Sequence, residues 1–110
     1  FHAESKAEEY MWLIALDSKC NPVGVFELSH GTVNSSLVSP REVFVRALKC
    51  QASSVILLHN HPSGDATPSR EDLLVTGKIK ETGELVEIPL IDHIIIGDGC
   101  YTSLKEKNLL

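Results

Sequence analysis

The sequence lacks any long hydrophobic run. No stretch reaches the roughly 18 apolar residues that a membrane-spanning helix needs, and the polar start is not typical of a secretory signal. With 43% hydrophobic and 23% charged residues, the 110-residue chain has the composition of a soluble globular protein. We therefore expect a single domain over residues 1–110, without membrane contact. No methionine begins the chain, so we expect a domain excised from a longer protein, with a frayed segment at 1–10.

The sequence also lacks a cluster of basic residues. Its ten lysines and arginines are scattered, and the formal net charge is -5. Nucleic-acid binding draws most of its affinity from neutralising phosphates with such side chains. We therefore expect no direct nucleic-acid binding by this domain.

Paired cysteines are missing as well. Cys20, Cys50 and Cys100 are odd in number, and no C-x-x-C motif is present. This pattern indicates free thiols in a reducing cytoplasm rather than disulfides or a thiolate metal site. The zinc deaminase signature, H-x-E followed by P-C-x-x-C, is not present either, which argues against nucleobase deamination.

Short apolar runs separated by turn residues define the predicted elements. Turn chemistry at 18–22 separates two apolar stretches and predicts a hairpin, while Ser39 and Ser69 are typical helix N-caps. The predicted strands are Trp12–Leu16, Val23–Ser29, Val55–Leu58, Ile91–Ile96 and Tyr101–Ser103; the helices follow Ser39, run from Ser69 to near Thr82, and cover Leu104–Leu110. This order predicts an α/β fold, a three-layer α-β-α-like sandwich with a mixed sheet flanked by helices.

Two histidines follow the apolar run Val55–Leu58. In an extended chain His59 and His61 project to the same side, while Asn60 faces away. Asp72 lies eleven residues beyond His61, at the expected start of a helix. Two imidazoles and a carboxylate fill three corners of a zinc tetrahedron and leave the fourth to water.

An ordinary explanation exists for part of this pattern. Taken alone, Ser69 and Asp72 are explained as a helix cap and an acid at the positive end of the helix dipole. The two histidines immediately upstream make the metal site the better interpretation. The predicted metal ligands are therefore His59, His61 and Asp72.

Glu27 is a candidate general acid/base. Strict alternation along its strand puts Glu27 on the same face as Val23, Val25 and Ser29. An acid among apolar neighbours is costly to leave ionised without a partner, which favours a place beside a cation. The alternative is an edge-strand glutamate that reaches solvent.

Asp92 and His93 also stand out in an apolar segment. The ordinary interpretation of His93 is a histidine hydrogen-bonded near a strand end. The alternative is a role beside the metal site or in the substrate groove.

The spacing H-x-H-x7-S-x2-D, formed by His59, His61, Ser69 and Asp72, resembles the JAMM motif of the JAB1/MPN domain family. Glu27 matches the upstream glutamate of that motif, and Asn60 stands where eukaryotic members usually carry Ser or Thr. The segment HNHPSG, with GTVNSS before it and DHIIIGDG after it, resembles the bacterial RadC branch more closely, from about Trp12 to Leu110.

This resemblance implies a C-terminal domain with the JAB1/MPN fold, which is related to that of cytidine deaminases. It implies a Zn2+-dependent hydrolase that cleaves a peptide or isopeptide amide in a peptide or protein substrate. Glu27 would transfer the proton, and the Ser69 hydroxyl would stabilise the oxyanion. The alternative function is a non-catalytic or regulatory interaction module in DNA repair or replication that keeps the fold, with or without the metal. A homo-oligomer is left open.

Overall fold

The computed structural model describes residues 8–31 and 38–110. Its elements are β1 (Glu9–Leu16), β2 (Pro22–Gly31), α1 (Pro40–Lys49), β3 (Ser54–Asn60), α2 (Arg70–Val86), β4 (Leu90–Ile96) and β5 (Tyr101–Ser103). The predicted frayed segment falls largely on residues 1–7, which lie outside the described range. At Glu9 and Tyr10 the prediction is wrong, because both residues belong to β1.

The five strands form one mixed sheet in the order β2-β1-β3-β4-β5. β3 and β4 are parallel, whereas β1 pairs antiparallel with both β2 and β3, and β5 pairs antiparallel with β4. The predicted hairpin and mixed sheet, and with them the α/β class, are confirmed. In the described part of the chain, no helix is long and apolar enough to span a membrane.

Both helices pack on one face of the sheet. Residues of the two helices and of the strands share one buried cluster, which includes Val43, Phe44 and Ala47 of α1, Val75 and Ile79 of α2, and Met11, Leu13, Val55 and Leu57 of the sheet. Trp12 and Leu58 form a second cluster with Tyr10, Ile14, Ile94 and Ile96. Within residues 8–31 and 38–110 the helices therefore make two layers with the sheet, and the expected third layer is not seen there.

The central strand β3 leads directly to the site. Leu57 pairs with Leu13 and His59 pairs with Met11, so His59 continues the face that the helices cover. Leu58 pairs with Trp12 on the other face. Alternation along β3 thus delivers the His59 imidazole to the end of the core that lies beside the start of α2.

A bulge in the edge strand β2 changes the predicted face of Glu27. Ser29 pairs with Met11 and Glu27 pairs with Trp12, so Leu28 is the extra residue. Met11 and Trp12 belong to clusters on opposite faces of the sheet. The prediction that Glu27 and Ser29 share a face is therefore wrong, because it assumed an unbroken two-residue period.

The helix starts are confirmed, but the end of α2 is not. Ser39 caps α1 by accepting a hydrogen bond from the backbone N–H of Glu42 at 3.2 Å. The helix α2 continues four residues past the predicted end near Thr82 and is closed by Glu87, whose φ is 61°. Residues 104–108 form turns instead of the predicted terminal helix, whereas the strand at 101–103 is confirmed.

Gly83 lies within α2, where the chain that follows the helix passes close to it. A Cβ atom at this position would lie 2.6 Å from the backbone oxygen of Ile88 and 3.3 Å from the Phe44 ring. The residue therefore serves close packing between the end of α2 and the strand that follows.

We expect Gly83→Ala to lower the free energy of unfolding by about 2 kcal/mol, because the added methyl group overpacks this contact. Gly77→Ala in the same helix is the matched control, since a Cβ there meets nothing within 4 Å. It should raise the free energy of unfolding by about 0.5–1 kcal/mol. Denaturant unfolding measures both, and a Gly83→Ala chain as stable as the unsubstituted one would contradict the packing role.

Candidate metal centre

The structure brings together the three residues predicted as metal ligands. Nδ1 of His59 lies 3.1 Å from Oδ1 of Asp72, and Nε2 of His61 lies 3.1 Å from Oδ2 of the same carboxylate. His59 and His61 come from the end of β3, while Asp72 lies in the first turn of α2. One carboxylate therefore faces both imidazoles.

Asp72 is held in place by its own helix start. Its Oδ2 accepts a hydrogen bond from the backbone N–H of Ser69 at 2.9 Å, and Oγ of Ser69 accepts one from the N–H of Asp72 at 3.0 Å. The Asp72 side chain is fully buried. Burial tends to raise the pKa of this carboxyl, but the neighbouring imidazoles and the Ser69 N–H outweigh it and lower the pKa far below its ordinary value.

His59 carries unpaired nitrogen atoms deep in the site. Its side chain is 2% exposed, and neither ring nitrogen has a hydrogen-bond partner among the described residues. The 3.1 Å approach of Nδ1 to Asp72 thus lacks hydrogen-bond geometry. Two atoms that share a tetrahedral zinc ion at about 2.1 Å lie about 3.4 Å apart, so the spacing suits metal coordination.

Both ring nitrogens of His61 face oxygen atoms that act as hydrogen-bond acceptors. Its Nδ1 lies 2.9 Å from the backbone oxygen of Asp65, an acceptor, so Nδ1 carries the proton. In a neutral ring Nε2 then directs a lone pair at Oδ2 of Asp72, which is also an acceptor. Either a second proton or a metal ion must lie between them. Its hydrogen bond with Asp72 accordingly raises the pKa of His61 above its ordinary value, against the effect of burial.

Glu9, which was not predicted, supplies the second carboxylate of the site. Its Oε2 lies 3.8 Å from Nε2 of His59. Glu9, His59 and His61 each offer one ligand atom, and these atoms lie within 4.8 Å of one another, so the group could hold a metal ion. The signal in the sequence was available: Glu9 is two residues before Met11 and so continues the core face of β1.

Asn60 anchors the backbone on both sides of Glu9. Its side chain accepts a hydrogen bond from the N–H of Tyr10 at 2.6 Å and donates one to the carbonyl of Glu8 at 2.9 Å. The amide is buried and faces away from the histidines, as predicted. The residue between the two histidines therefore fixes the start of β1, and with it the position of Glu9.

Glu27 is not brought into this group. It is exposed on β2, across the sheet from the helix-covered face, and pairs with Trp12. The described residues that line the cavity at the histidines include Glu9 but not Glu27. The geometry therefore offers Glu9, not Glu27, as the carboxylate beside the metal site.

The site opens into a cavity of about 590 Å³. Its lining includes His59, His61, Ser69 and four acids, which are Glu9, Asp65, Glu71 and Asp72. No lysine or arginine is among the described residues that line it. Asp65 contributes little to the ligand set, because its carboxylate accepts hydrogen bonds from the N–H and hydroxyl of Thr67. The cavity is thus an acidic cleft that attracts cations.

Asp92 and His93 on β4 have separate roles. Asp92 accepts hydrogen bonds from the Ser103 hydroxyl and from the backbone N–H of Lys105, which joins β4 to β5 and the turn after it. His93 is fully buried, and its Nδ1 lies 2.6 Å from Oγ1 of Thr76 in α2. Burial lowers the pKa of His93 to about 4, so its ring is neutral at pH 7.

Comparison with known proteins agrees with this architecture. The chain matches the family model described as "RadC-like JAB domain" over residues 1–109. It is 52% identical to a "UPF0758 protein" of Clostridium tetani over 103 residues, and this alignment covers 94% of this chain and 45% of that protein. A "UPF0758 protein" of Pelobacter propionicus is 47% identical over 112 residues, covering all of this chain and 49% of its own length.

A third relative, a "UPF0758 protein" of Moorella thermoacetica, is 50% identical over 97 residues, which cover 88% of this chain and 42% of that protein. The chain therefore spans somewhat less than half the length of these curated relatives. With the family model covering nearly every residue, the chain belongs to the RadC-like JAB domain family.

Proposed function

We propose that this chain is a zinc-dependent hydrolase of amide bonds, acting on peptide or isopeptide linkages. The observation that carries the proposal is the arrangement of His59, His61 and Asp72, in which one buried carboxylate faces a nitrogen of each imidazole at 3.1 Å. Membership in a JAB domain family supports the same reading.

The three residues provide the donor set that catalytic zinc uses, two imidazoles and a carboxylate with one position left open. A bound zinc ion would supply Lewis acidity and lower the pKa of a water molecule to about 7. The same donor set suits ferrous iron. An elemental analysis of the purified chain therefore has to quantify both metals.

Glu9 is the proton carrier in this proposal. Its carboxylate lines the cavity beside His59. There Oε2 can accept a proton from the attacking water and later donate that proton to the leaving amine. Asn60 prevents this strand end from shifting by binding the backbone at Glu8 and Tyr10. Glu27 remains the residue that the motif matched, but its exposed place on the other face does not support the role.

Ser69 can act as cap and donor at once. In the helix cap its Oγ accepts a hydrogen bond, so the hydroxyl proton is not consumed there. The residue lines the cavity, and its hydroxyl can donate to the oxygen of a substrate carbonyl as negative charge develops. A well-aimed donor of this kind contributes about 3 kcal/mol to transition-state stabilisation.

We expect the purified chain to bind about one zinc ion, and Asp72→Asn to weaken zinc binding about 100-fold or more, because a charged ligand is lost. Asp65→Asn, in the loop that precedes α2, is the matched control and should bind zinc as the unsubstituted chain does. Competition with a chromophoric chelator measures the affinities. A metal-free chain with the native fold would instead favour the interaction module.

Glu9→Gln should retain zinc but lose amide hydrolysis by about 100-fold or more, because a positioned proton carrier contributes about 10²–10⁴-fold. Glu27→Gln should cleave at nearly the rate of the unsubstituted chain. The assay follows cleavage of a peptide library by the zinc-loaded chain. The reverse pattern, with Glu27→Gln inactive and Glu9→Gln active, would restore Glu27 as the proton carrier and contradict this assignment.

A further inference from the structure

His93 forms a buried polar link between the sheet and α2. The imidazole is fully buried on β4, and the Thr76 side chain it meets is 2% exposed. Thr76 lies one turn beyond Asp72 in α2, and its hydroxyl donates a hydrogen bond to the Asp72 carbonyl at 2.8 Å. The planes of the His93 and His59 rings are inclined by 26°, and their centroids lie 6.2 Å apart.

The protons of this link can be assigned by counting donors. The Thr76 hydroxyl has one proton, which it donates to the Asp72 carbonyl, so the 2.6 Å contact requires Nδ1–H of His93 to donate to Oγ1. The other tautomer would bury an N–H at Nε2, which has no partner among the described residues. A buried unsatisfied donor costs about 1–3 kcal/mol, so the Nδ1–H form is favoured.

We propose that His93 is a positioning residue of the metal centre. Through the hydrogen bonds from His93 to Thr76 and from Thr76 to Asp72, it fixes the first turn of α2 against β4. This link holds the Asp72 carboxylate where it faces both His59 and His61. The inference rests on the proposed function, because it takes these three residues as the ligands of one ion.

Packing alone is the competing explanation for a buried histidine. A residue that only fills the core changes the free energy of unfolding but leaves the metal affinity of the folded chain unchanged. A positioning residue changes the affinity itself, by about 10–100-fold for groups that orient metal ligands. The two explanations therefore separate when affinity is measured under conditions where every variant is folded.

The experiment measures Zn2+ affinity of the full chain by chelator competition, and the visible absorption bands of the Co2+-loaded chain. Thr76→Val keeps the shape of the side chain but removes the hydroxyl, and His93→Leu removes the donor. We expect each to weaken Zn2+ binding about 10-fold and to shift the Co2+ bands. Thr76→Ser and His93→Asn, which keep a hydroxyl and an N–H donor, should restore affinity to within about two-fold.

Ser103→Ala is the control for general destabilisation. It breaks the hydrogen bond from Ser103 on β5 to Asp92, which lies beside His93 on β4. This loss should lower the free energy of unfolding without changing Zn2+ affinity. If Thr76→Val binds Zn2+ as tightly as the unsubstituted chain while Asp72→Asn does not, the positioning role is wrong and the proposed metal site stands. Equal weakening by Ser103→Ala would also overturn the role.

Absence of metal binding in the unsubstituted chain would overturn both proposals. Should His93→Leu fail to fold, Thr76→Val and its Thr76→Ser partner still decide the question, because they alter the same link from the helix side. A double variant of Thr76→Val and His93→Leu should be no weaker in Zn2+ affinity than the worse single variant, since both remove one chain of hydrogen bonds.

Discussion

The rest of the site depends on the contacts of the Asp72 carboxylate. This carboxylate accepts the Ser69 N–H, which closes the helix start, and it faces both histidines. A fully buried charge without such partners would cost several kcal/mol. Its position at the N-terminus of α2 adds the favourable field of the helix dipole. The residue that closes the helix start therefore also faces both histidines, so the start of α2 and the candidate metal centre depend on the same carboxylate.

Part of this arrangement could be predicted because it follows from local periodicity. Alternation along an apolar strand puts His59 and His61 on one side, and a capped helix start places Asp72 in a defined geometry. Both rules hold here, since β3 is central in the sheet and α2 has a full capping box. Short connections between such elements leave few alternatives, so the spacing alone predicted that His59, His61 and Asp72 come together, as they do.

Glu9 and Glu27 show where the same reasoning failed. The prediction for Glu27 extended a two-residue period through Leu28, where β2 carries a bulge that depends on its pairing with β1. Glu9 was assigned to a frayed end because its surroundings in the sequence are polar. Two contacts hold it in β1: the pairing of Glu9 with Gly31 on β2, and the Asn60 amide, about fifty positions away, which binds the backbone of Glu8 and Tyr10. Alternation puts Glu9 on the face of Met11 only if β1 extends as far as Glu9, and the contacts that extend the strand that far leave no local pattern.

The end of α2 was mispredicted for a related reason. Gly83 matches the usual glycine that follows a helix, but its small size is needed for close approach of Ile88, and the helix continues past it. A glycine that permits a turn and a glycine that permits contact look identical in the sequence. Only the path of the chain after Val86 distinguishes them, and that path is set by β4 pairing with β3.

A proton and a metal ion compete for the space between His61 and Asp72. With Nδ1 of His61 donating to the Asp65 carbonyl, a proton at Nε2 bridges to Asp72, which is why the pKa of His61 is raised. That proton occupies the place where a cation would neutralise the same lone pairs. Metal binding must therefore displace it, which makes the affinity of the site fall as protons become more available. The two lone pairs that favour a shared proton between His61 and Asp72 therefore also favour a metal ion.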